Sequence, residues 1–300
     1  MKRSILQKAI TWTMARISWL YRLLTDRAYL KLKYWAVFGK RLDLKNPRTF
    51  NEKIQWLKLY DRNPFYTKLV DKYEVKKIVG EIIGSKYVIP TYGVWDRFDD
   101  IEFDKLPNQF VLKCTHDSGS IVICKDKQTF DVNYAKRKIN KCLKRNYYYF
   151  SREWPYKNVK PRIIAEKYME DTETSELRDY KFFCFNGKVK VMFIATDRQA
   201  PNEDTKFDFF DTDYNHLDLR NGHPNAATLP EKPKKFQEMI RLAESLSKGI
   251  QHVRVDFYEV GDDVFFGELT FSHWAGMGAF EPEKWDRVFG DWIDMLREKT

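Results

Sequence analysis

The chain has 300 residues, of which 43% are hydrophobic and 16% aromatic, and its formal net charge is +10. This length and composition support a large core and exclude a disordered protein. The charge indicates anionic small molecules, nucleotide phosphates or an anionic membrane surface as partners. Nucleic acid is not expected, because no arginine-rich run, zinc-ligand spacing or recognition-helix pattern accompanies the charge.

The first 28 residues combine apolar and aromatic side chains with basic ones. Lys8 and Arg16 interrupt the apolar stretch, so the sequence predicts neither a membrane-spanning helix nor a signal peptide. A basic helix that carries Trp12 and Trp19 can lie in the interface of an anionic membrane or dock on the protein's own body. Both readings stay open, and the first would place a cytoplasmic protein at the inner face of the cytoplasmic membrane.

The hydrophobic periodicity predicts an α+β protein with mostly antiparallel strands. Thr49 and Glu52 form a capping-box pattern at the start of one helix. Asn186-Gly187 is a two-residue turn signal inside a hairpin. The predicted helices cover residues 1–60 with a break at 46–49, then 64–84, 131–146, 231–249 and 285–297. The predicted strands cover residues 87–89, 110–113, 121–124, 162–168, 178–185, 188–195, 253–258 and 266–270.

The four cysteines form no Cys-x-x-Cys pair, and no histidine lies at zinc-ligand spacing from them. Most of them lie in apolar strand-like runs, where a free cysteine behaves as a small hydrophobic residue. We therefore expect reduced thiols in the core. The cysteines are Cys114, Cys124, Cys142 and Cys184.

The final hairpin carries the strongest chemical signal. If its turn centres near Asp262, Asp256 faces Glu268 and Arg254 faces Thr270, with all four side chains on one face. Two carboxylates in facing positions destabilise a hairpin unless a cation lies between them. Carboxylates together with substrate phosphates are the usual ligands of Mg²⁺, so the pattern indicates an enzyme that acts on nucleotide phosphates.

Two further segments suggest phosphate contacts. Lys113 ends an apolar strand and is followed by a Ser/Gly loop, which suits a phosphate clamp although the Walker-type sequence is absent. Asp179 and Lys181 alternate onto one face of their strand, and Arg198 follows the hairpin with a guanidinium suited to phosphate or carboxylate oxygens.

The order of these segments resembles the ATP-grasp superfamily, and more closely the teichuronopeptide-biosynthesis (TupA-like) ATP-grasp family of bacterial surface-polysaccharide clusters. The resemblance extends over about residues 30–290, with residues 47–58 as its most distinctive part. It implies two α+β subdomains that grip ATP, with a hinge near 165–170. We expect an N-terminal helical extension at residues 1–60 and the ATP-grasp domain at residues 61–300.

The resemblance implies a role for each matching residue. Lys72 and Lys113 are expected to contact the ATP phosphates. His116, Ser118 and Gly119 are expected in the flexible lid over these phosphates. The backbone at Lys167 and Tyr168 is expected to bind the adenine edge, with Glu166 at the hinge as a further cofactor-binding residue. Lys181, Arg198 and Arg254 are expected at the phosphoryl or acyl-phosphate region. Mg²⁺ is expected on Asp256, Glu268 and Thr270.

Two positions depart from the superfamily pattern. Thr270 stands where asparagine is common, and a hydroxyl is a less certain Mg²⁺ ligand than the two acids. The run His273-Trp274-Ala275-Gly276-Met277 replaces the usual Pro-Gly turn beside the acceptor, which bears on substrate choice.

The resemblance implies an ATP- and Mg²⁺-dependent ligase that joins an amine or amino acid to a carboxylate through an acyl phosphate. The acid would be a uronic acid of a bacterial capsular or surface polysaccharide, or its precursor. A kinase, which leaves the phosphoryl group on its product, stays open.

Two other classes of function stay open. The triplet Asp211-Thr212-Asp213 is typical of metal-dependent nucleotide-sugar glycosyltransferases, although it lies in an ordinary turn-rich stretch without a Rossmann-like pattern. The second class is a non-catalytic protein that binds carbohydrate or a lipid surface, with the nine tryptophans as stacking platforms. Unpaired acids at Asp256 and Glu268 argue against such a scaffold, because their repulsion would be a standing cost.

Overall fold

The computed structural model describes residues 3–171, 177–197 and 204–295. Three helices form the N-terminal part, and a side chain caps the start of each. Thr49 and Glu52 make the predicted capping box. The helices are α1 (Ile5–Arg16), α2 (Asp26–Phe38) and α3 (Phe50–Tyr60). The long break between α2 and α3 follows Gly39, which adopts a left-handed conformation.

The single helix predicted at residues 64–84 is two helices, α4 (Phe65–Val70) and α5 (Glu74–Ile83). The Asp71 carboxylate causes the break, because it accepts hydrogen bonds from the backbone N–H groups of Tyr73 and Glu74. The same carboxylate pairs with Arg162 at 2.9 Å. The break directs Lys72 toward the loop that follows the strand Phe110–Cys114, where its N–H donates to the Thr115 carbonyl.

A four-stranded antiparallel sheet has the order β1-β4-β2-β3. Its strands are β1 (Thr91–Trp95), β2 (Phe110–Cys114), β3 (Val122–Cys124) and β4 (Ile163–Lys167). Helix α6 (Val132–Leu143) packs Ala135 and Ile139 against it. The strand predicted at residues 87–89 is wrong: a 3₁₀ turn occupies Ser85–Tyr87 and the strand starts at Thr91. Pro90 has no N–H for a ladder, so the strand starts after it.

A five-stranded antiparallel sheet has the order β10-β9-β5-β6-β7. Its strands are β5 (Asp179–Phe185), β6 (Lys188–Thr196), β7 (Lys206–Phe210), β9 (His252–Val260) and β10 (Asp263–Thr270). The predicted turn joins β5 to β6, with positive φ at Asn186 and Gly187. A short ribbon pairs β8 (Arg220–Asn221) with β11 (Phe280–Glu281).

Both faces of the five-stranded sheet are covered. Helix α8 (Phe236–Leu246) packs on one face together with α5. Helix α9 (Lys284–Trp292) packs on the other, where Phe50 and Ile54 of α3 join Phe183 and Phe289 in one apolar cluster. Helix α3 is therefore part of this core. The domain boundary at residue 60 stays a prediction, and the predicted continuation of the last helix beyond 295 lies outside the described residues.

The four cysteines are buried and unpaired, as predicted. Burial raises the pKa of the Cys114 and Cys184 thiols to about 12. Within the described ranges, no helix is long and apolar enough to cross a membrane.

The final hairpin has the predicted residue pairs at the end that carries Asp256 and Glu268, but its turn differs from the prediction. Val260 pairs with Asp263, so the turn centres half a residue earlier than predicted. A bulge at Gly267 restores the register, and Glu268 faces Asp256 while Thr270 faces Arg254. A Cβ at Gly267 would lie 3.1 Å from the Asp256 carbonyl oxygen, so the bulge favours glycine.

Candidate functional site

A cavity of about 150 Å³ lies between the two sheets. The four-stranded sheet contributes Lys113 and Glu166, and the five-stranded sheet contributes Asp179, Lys181 and Glu268. Apolar side chains cover part of its wall: Val75, Val88, Ile89, Ile121 and Phe266. The cavity brings together seven of the residues predicted for the site: Lys72, Lys113, Ser118, Gly119, Glu166, Lys181 and Glu268.

Glu166 joins two lysines at one edge of this cavity. Its carboxylate oxygens lie 2.7 Å from the ammonium of Lys76 and 2.7 Å from that of Lys113. Burial alone would raise the pKa of Glu166, but the two ammonium groups outweigh it and lower the pKa to about 2. Glu166 is thus a charged partner of Lys113, the lysine predicted to clamp phosphate. Lys76, four residues after Lys72, was missed by the sequence analysis.

Lys72 lies beside the loop that follows β2. Its ammonium donates to the carbonyl of Asp117. Burial lowers the pKa of Lys72, although Glu268 and Asp117 oppose the change. Ser118 and Gly119 form the exposed tip of the loop, and a Cβ at Gly119 (φ +89°) would meet no atom within 4 Å. The tip therefore has space to approach a ligand's phosphates.

His116 differs from its predicted role in the lid. The ring is buried, and its Nε2 lies 3.1 Å from the carbonyl oxygen of Arg145. Burial lowers its pKa, which keeps the ring neutral. His116 therefore fastens the base of the loop to the end of α6 and does not line the cavity.

A charged network around Arg254 meets the cavity through Lys181, Asp179 and Glu268. Arg254, Asp256 and Thr270 themselves do not line the cavity. The Nε and Nη2 atoms of Arg254 each donate to the Asp256 carboxylate at 2.7 Å. Nη2 also lies 3.1 Å from Glu268 Oε1 and 3.1 Å from Thr270 Oγ1. Lys181 donates to Asp256 from the neighbouring strand and lies 3.2 Å from Asp179. The four side chains predicted to share one face of the hairpin therefore do so.

Protonation in this network follows from burial and charge. Burial would raise the pKa of Asp256, but Arg254 and Lys181 hold it below its usual range. Burial lowers the pKa of Lys181, and Asp256 opposes that change. The pair is thus ionised, with Asp179 as a second acid beside the ammonium. Asp179 was not assigned a role, although its alternation with Lys181 had placed it on this face.

His273 holds Arg254 from behind. Its Nδ1 accepts a hydrogen bond of 2.6 Å from Arg254 Nη1, and its Nε2 donates to Asn221 Oδ1 at 2.9 Å. Burial and the nearby Arg254 guanidinium lower the pKa of His273 well below its ordinary value. The neutral ring is the form that accepts from a guanidinium, so His273 orients Arg254 toward the acids.

The structure places the remaining predicted residues as follows. The Lys167 N–H donates to the Pro90 carbonyl at 2.9 Å, so that group pairs within the protein. The Tyr168 ring packs against the Lys125 ammonium, 5.6 Å from its centroid, and neither Lys167 nor Tyr168 lines the cavity. Arg198 lies outside the described residues. The hinge near 165–170 stays a prediction.

The Asp211-Thr212-Asp213 triplet forms a turn. The Asp211 carboxylate accepts from the N–H groups of Asp213 and Asn215 and from the Asn215 side chain, at 2.8–2.9 Å. These hydrogen bonds lower the pKa of Asp211 against the effect of burial. The triplet does not line the cavity between the sheets.

The oxygen donors fit a hard divalent cation. Asp256, Glu268 and Thr270 surround one guanidinium nitrogen, and carboxylate and hydroxyl oxygens are suitable Mg²⁺ ligands. Both Asp256 oxygens already accept from protein cations, whereas Glu268 is half-exposed and is the more accessible ligand. Within the described residues, no group of three or more His, Cys, Asp or Glu side chains could hold a metal alone.

Two facing sheets with cations from both and acids on the last hairpin are the features of an ATP-grasp protein. The family model of TupA-like ATP-grasp proteins matches residues 52–294. The chain therefore belongs to the TupA-like ATP-grasp family. None of the curated proteins compared with the chain matches it significantly.

Solved structures with similarity to the chain include ligases of low sequence identity. D-alanine–D-alanine ligase from Bacillus anthracis, complexed with ATP, is 14% identical over 68% of this chain and 53% of its own, with a TM-score of 0.39. D-alanine–D-alanine ligase from Helicobacter pylori is 10% identical over 83% of this chain and 70% of its own, with a TM-score of 0.42. A RimK domain ATP-grasp protein from Sphaerobacter thermophilus is 11% identical over 76% of this chain and 69% of its own, with a TM-score of 0.42. The chain spans about half the length of the Bacillus anthracis ligase.

Proposed function

We propose that this protein uses ATP and Mg²⁺ to join a carboxylate to an amine. The observation that carries the proposal is the convergence of Lys72, Lys113, Lys181 and Glu268 on one cavity. Arg254 and Asp256 do not line this cavity but bond directly to Glu268 and Lys181, which do. The apolar wall of the cavity suits an adenine ring, and its ammonium groups suit the phosphates. Mg²⁺ bound by Asp256 and Glu268 would neutralise phosphate charge.

The chemistry proceeds in two displacements. A carboxylate oxygen of the acid attacks the γ-phosphorus, ADP leaves, and the product is an acyl phosphate. The amine then attacks the acyl carbon, inorganic phosphate leaves, and the nitrogen releases one proton. Lys181, Arg254 and Arg198 are proposed to stabilise the negative charge that develops in both steps. No nucleophilic side chain is required.

The acid is proposed to be a uronic acid of a bacterial surface polysaccharide or its precursor, and the amine an amino acid. The family resemblance supports this choice, and the positive net charge of the chain suits a polyanionic substrate. The site residues themselves support the ATP-dependent part.

The test is ADP release by the purified protein with a panel of uronic acids and amino acids, followed by mass analysis of products. Glu268→Gln, at the half-exposed acid, should abolish Mg²⁺-dependent turnover and leave the fold intact. Asp256→Asn should also abolish turnover, and its fold is checked separately because the change removes the buried partner of Arg254 and Lys181. Asp213→Asn is the matched control, because a glycosyltransferase that uses the 211–213 triplet would lose activity in that variant. If both acid variants keep wild-type turnover, the metal assignment is contradicted. If the product is phosphorylated and contains no amine, the enzyme is a kinase.

A second proposal concerns where the enzyme works: helix α1 lies on an anionic membrane. The first 25 residues contain five basic and no acidic residues. The most exposed large apolar side chains of this part are Ile5 (87%), Leu6 (60%), Trp12 (57%) and Leu23 (90%). Met14 and Gln7 face the protein instead. Apolar side chains among basic ones are the pattern of an interfacial helix and favour anionic lipid as the partner.

Sedimentation with vesicles measures this binding. The protein should bind vesicles that contain 30% phosphatidylglycerol at least tenfold better than pure phosphatidylcholine at low salt, because each basic residue near the surface adds about 1 kcal/mol and about 1.4 kcal/mol is tenfold. The variant Ile5→Ser/Leu6→Ser/Trp12→Ser should lose most of the binding. Leu229→Ser, at an exposed apolar position elsewhere, is the control. Equal binding by the triple variant and the wild type contradicts the proposal.

A further inference from the structure

The loop after β10 has an unusual backbone. Trp274, Ala275 and Gly276 have φ values of +50°, +56° and +62°. A left-handed conformation costs free energy for a bulky side chain and persists only where the surroundings enforce it. Such strain is common at ligand sites, and this loop directly follows His273, which orients Arg254.

Helix α3 enforces the conformation of this loop. Three side chains on one of its faces donate to loop carbonyls: Asn51 to Gly278 at 2.9 Å, Gln55 to Gly276 at 2.7 Å, and Lys58 to Ala275 at 2.6 Å. All three side chains are buried. Helix α3 therefore fixes the backbone of the loop that follows His273.

The shaped loop holds the Trp274 indole in an exposed position. A Cβ on Gly222 would lie 2.7 Å from the indole, and one on Gly278 would lie 2.9 Å from it, so the ring packs closely on both glycines. The ring centroid of His223 lies 5.8 Å from that of Trp274. The side chain is nevertheless 44% exposed. A fixed aromatic ring open to solvent is a platform for the C–H face of a ligand ring.

A groove of about 300 Å³ adjoins this platform at Gly222 and His223. Arg220 and Glu281 line it and pair at 3.0 Å, both more than half exposed. An exposed pair of this kind contributes little to stability, so the guanidinium is available to a ligand carboxylate at small cost. The groove meets the phosphoryl site through Asn221, which follows Arg220 in the chain and accepts from His273.

We propose that this groove, with Trp274 as its platform, binds the sugar ring next to the reacting uronate in an acidic oligosaccharide. The ring stacks on Trp274, and its carboxylate pairs with Arg220 in place of Glu281. The proposed function puts the reacting carboxylate beside Arg254, and His273 lies between Arg254 and Asn221 at the groove, so the groove takes a neighbouring ring. The substrate is therefore an oligosaccharide or polymer rather than a single uronic acid. This inference rests on the proposed ligase function.

Calorimetric titration with trigalacturonate tests the inference, with galacturonate and the neutral maltotriose as comparison ligands. Trigalacturonate should bind at least tenfold more tightly than either. Trp274→Ala should weaken binding about tenfold and Trp274→Phe less, because phenylalanine keeps an aromatic face. Arg220→Gln should weaken binding about fivefold and reduce its salt dependence. Arg287→Gln is the matched control, since Arg287 forms a similarly exposed pair with Asp291 at 2.8 Å.

Adenine-nucleotide affinity is measured on the same samples, which separates the two proposals. Unchanged nucleotide binding in Trp274→Ala shows that the site remains folded, so its loss of trigalacturonate binding supports the inference. Equal trigalacturonate affinity in the wild type, Trp274→Ala and Arg220→Gln overturns it. Absence of trigalacturonate binding by a wild type that binds nucleotide also overturns it. Failure to bind nucleotide contradicts the ligase proposal instead.

Discussion

Glutamine in place of Glu166 would remove the carboxylate that joins Lys76 and Lys113 across the cavity edge. The pKa of this carboxylate falls from 4.5 to about 2 on folding. One pKa unit corresponds to about 1.4 kcal/mol, so the shift contributes up to about 3 kcal/mol of stability at neutral pH. Burial lowers the pKa of Lys76 and offsets part of this gain, so Glu166→Gln should cost between about 1 and 3 kcal/mol.

The pH dependence has a definite sign. The folded-state pKa lies below the unfolded one, so the contribution is complete above about pH 5 and is lost as the pH falls toward 2. Urea unfolding of the wild type and Glu166→Gln at pH 7, 5, 4 and 3 should show a difference that narrows below pH 5.

The control is Glu102→Gln. Glu102 pairs with Lys105 at 2.9 Å on the exposed surface, so its replacement should cost less than about 0.5 kcal/mol. The reasoning is refuted if Glu166→Gln changes stability by no more than this control, or if its cost does not vary with pH.

Three further predictions concern the loop and its supports. Gly222→Ala should weaken trigalacturonate binding without loss of ADP binding, since its Cβ would meet the Trp274 indole and its φ is +86°. Gln55→Leu should cost about 2 kcal/mol in urea unfolding, because it leaves the Gly276 carbonyl unpaired, whereas Gln109→Leu at an exposed position should not. Burial lowers the pKa of Lys58 to about 7, so the unfolded chain binds more protons above pH 7. Stability should therefore rise from pH 7 to 9, and Lys58→Met should flatten the rise; an unchanged slope contradicts this.

Local patterns in the sequence predicted most strands and the facing acids. The alternation of the last hairpin placed Asp256 opposite Glu268 even though the turn position was wrong, because the Gly267 bulge compensates by one residue. The capping box at Thr49 and the turn at Asn186-Gly187 were predicted because they depend on adjacent residues alone.

Features set by distant contacts were not predicted. The break in the 64–84 helix depends on Asp71, whose partner Arg162 lies on the approach to β4. His116 lies in a polar stretch that is typical of an exposed loop. Only the fold shows that its ring is buried against the Arg145 carbonyl. The pairing of Lys76 with Glu166 joins a helix to a sheet 90 residues later in the chain, and no local pattern encodes it.

The measurement that tests the central claim most directly is calorimetric titration with ADP and a non-hydrolysable ATP analogue, with and without Mg²⁺, beside UDP-sugars. Lys113→Ala is compared with Lys136→Ala, whose side chain pairs with Asp99 at the surface. The account predicts Mg²⁺-dependent adenine-nucleotide binding that Lys113→Ala loses and Lys136→Ala keeps. Binding of UDP-sugars alone, or nucleotide binding unaffected in Lys113→Ala, would contradict it.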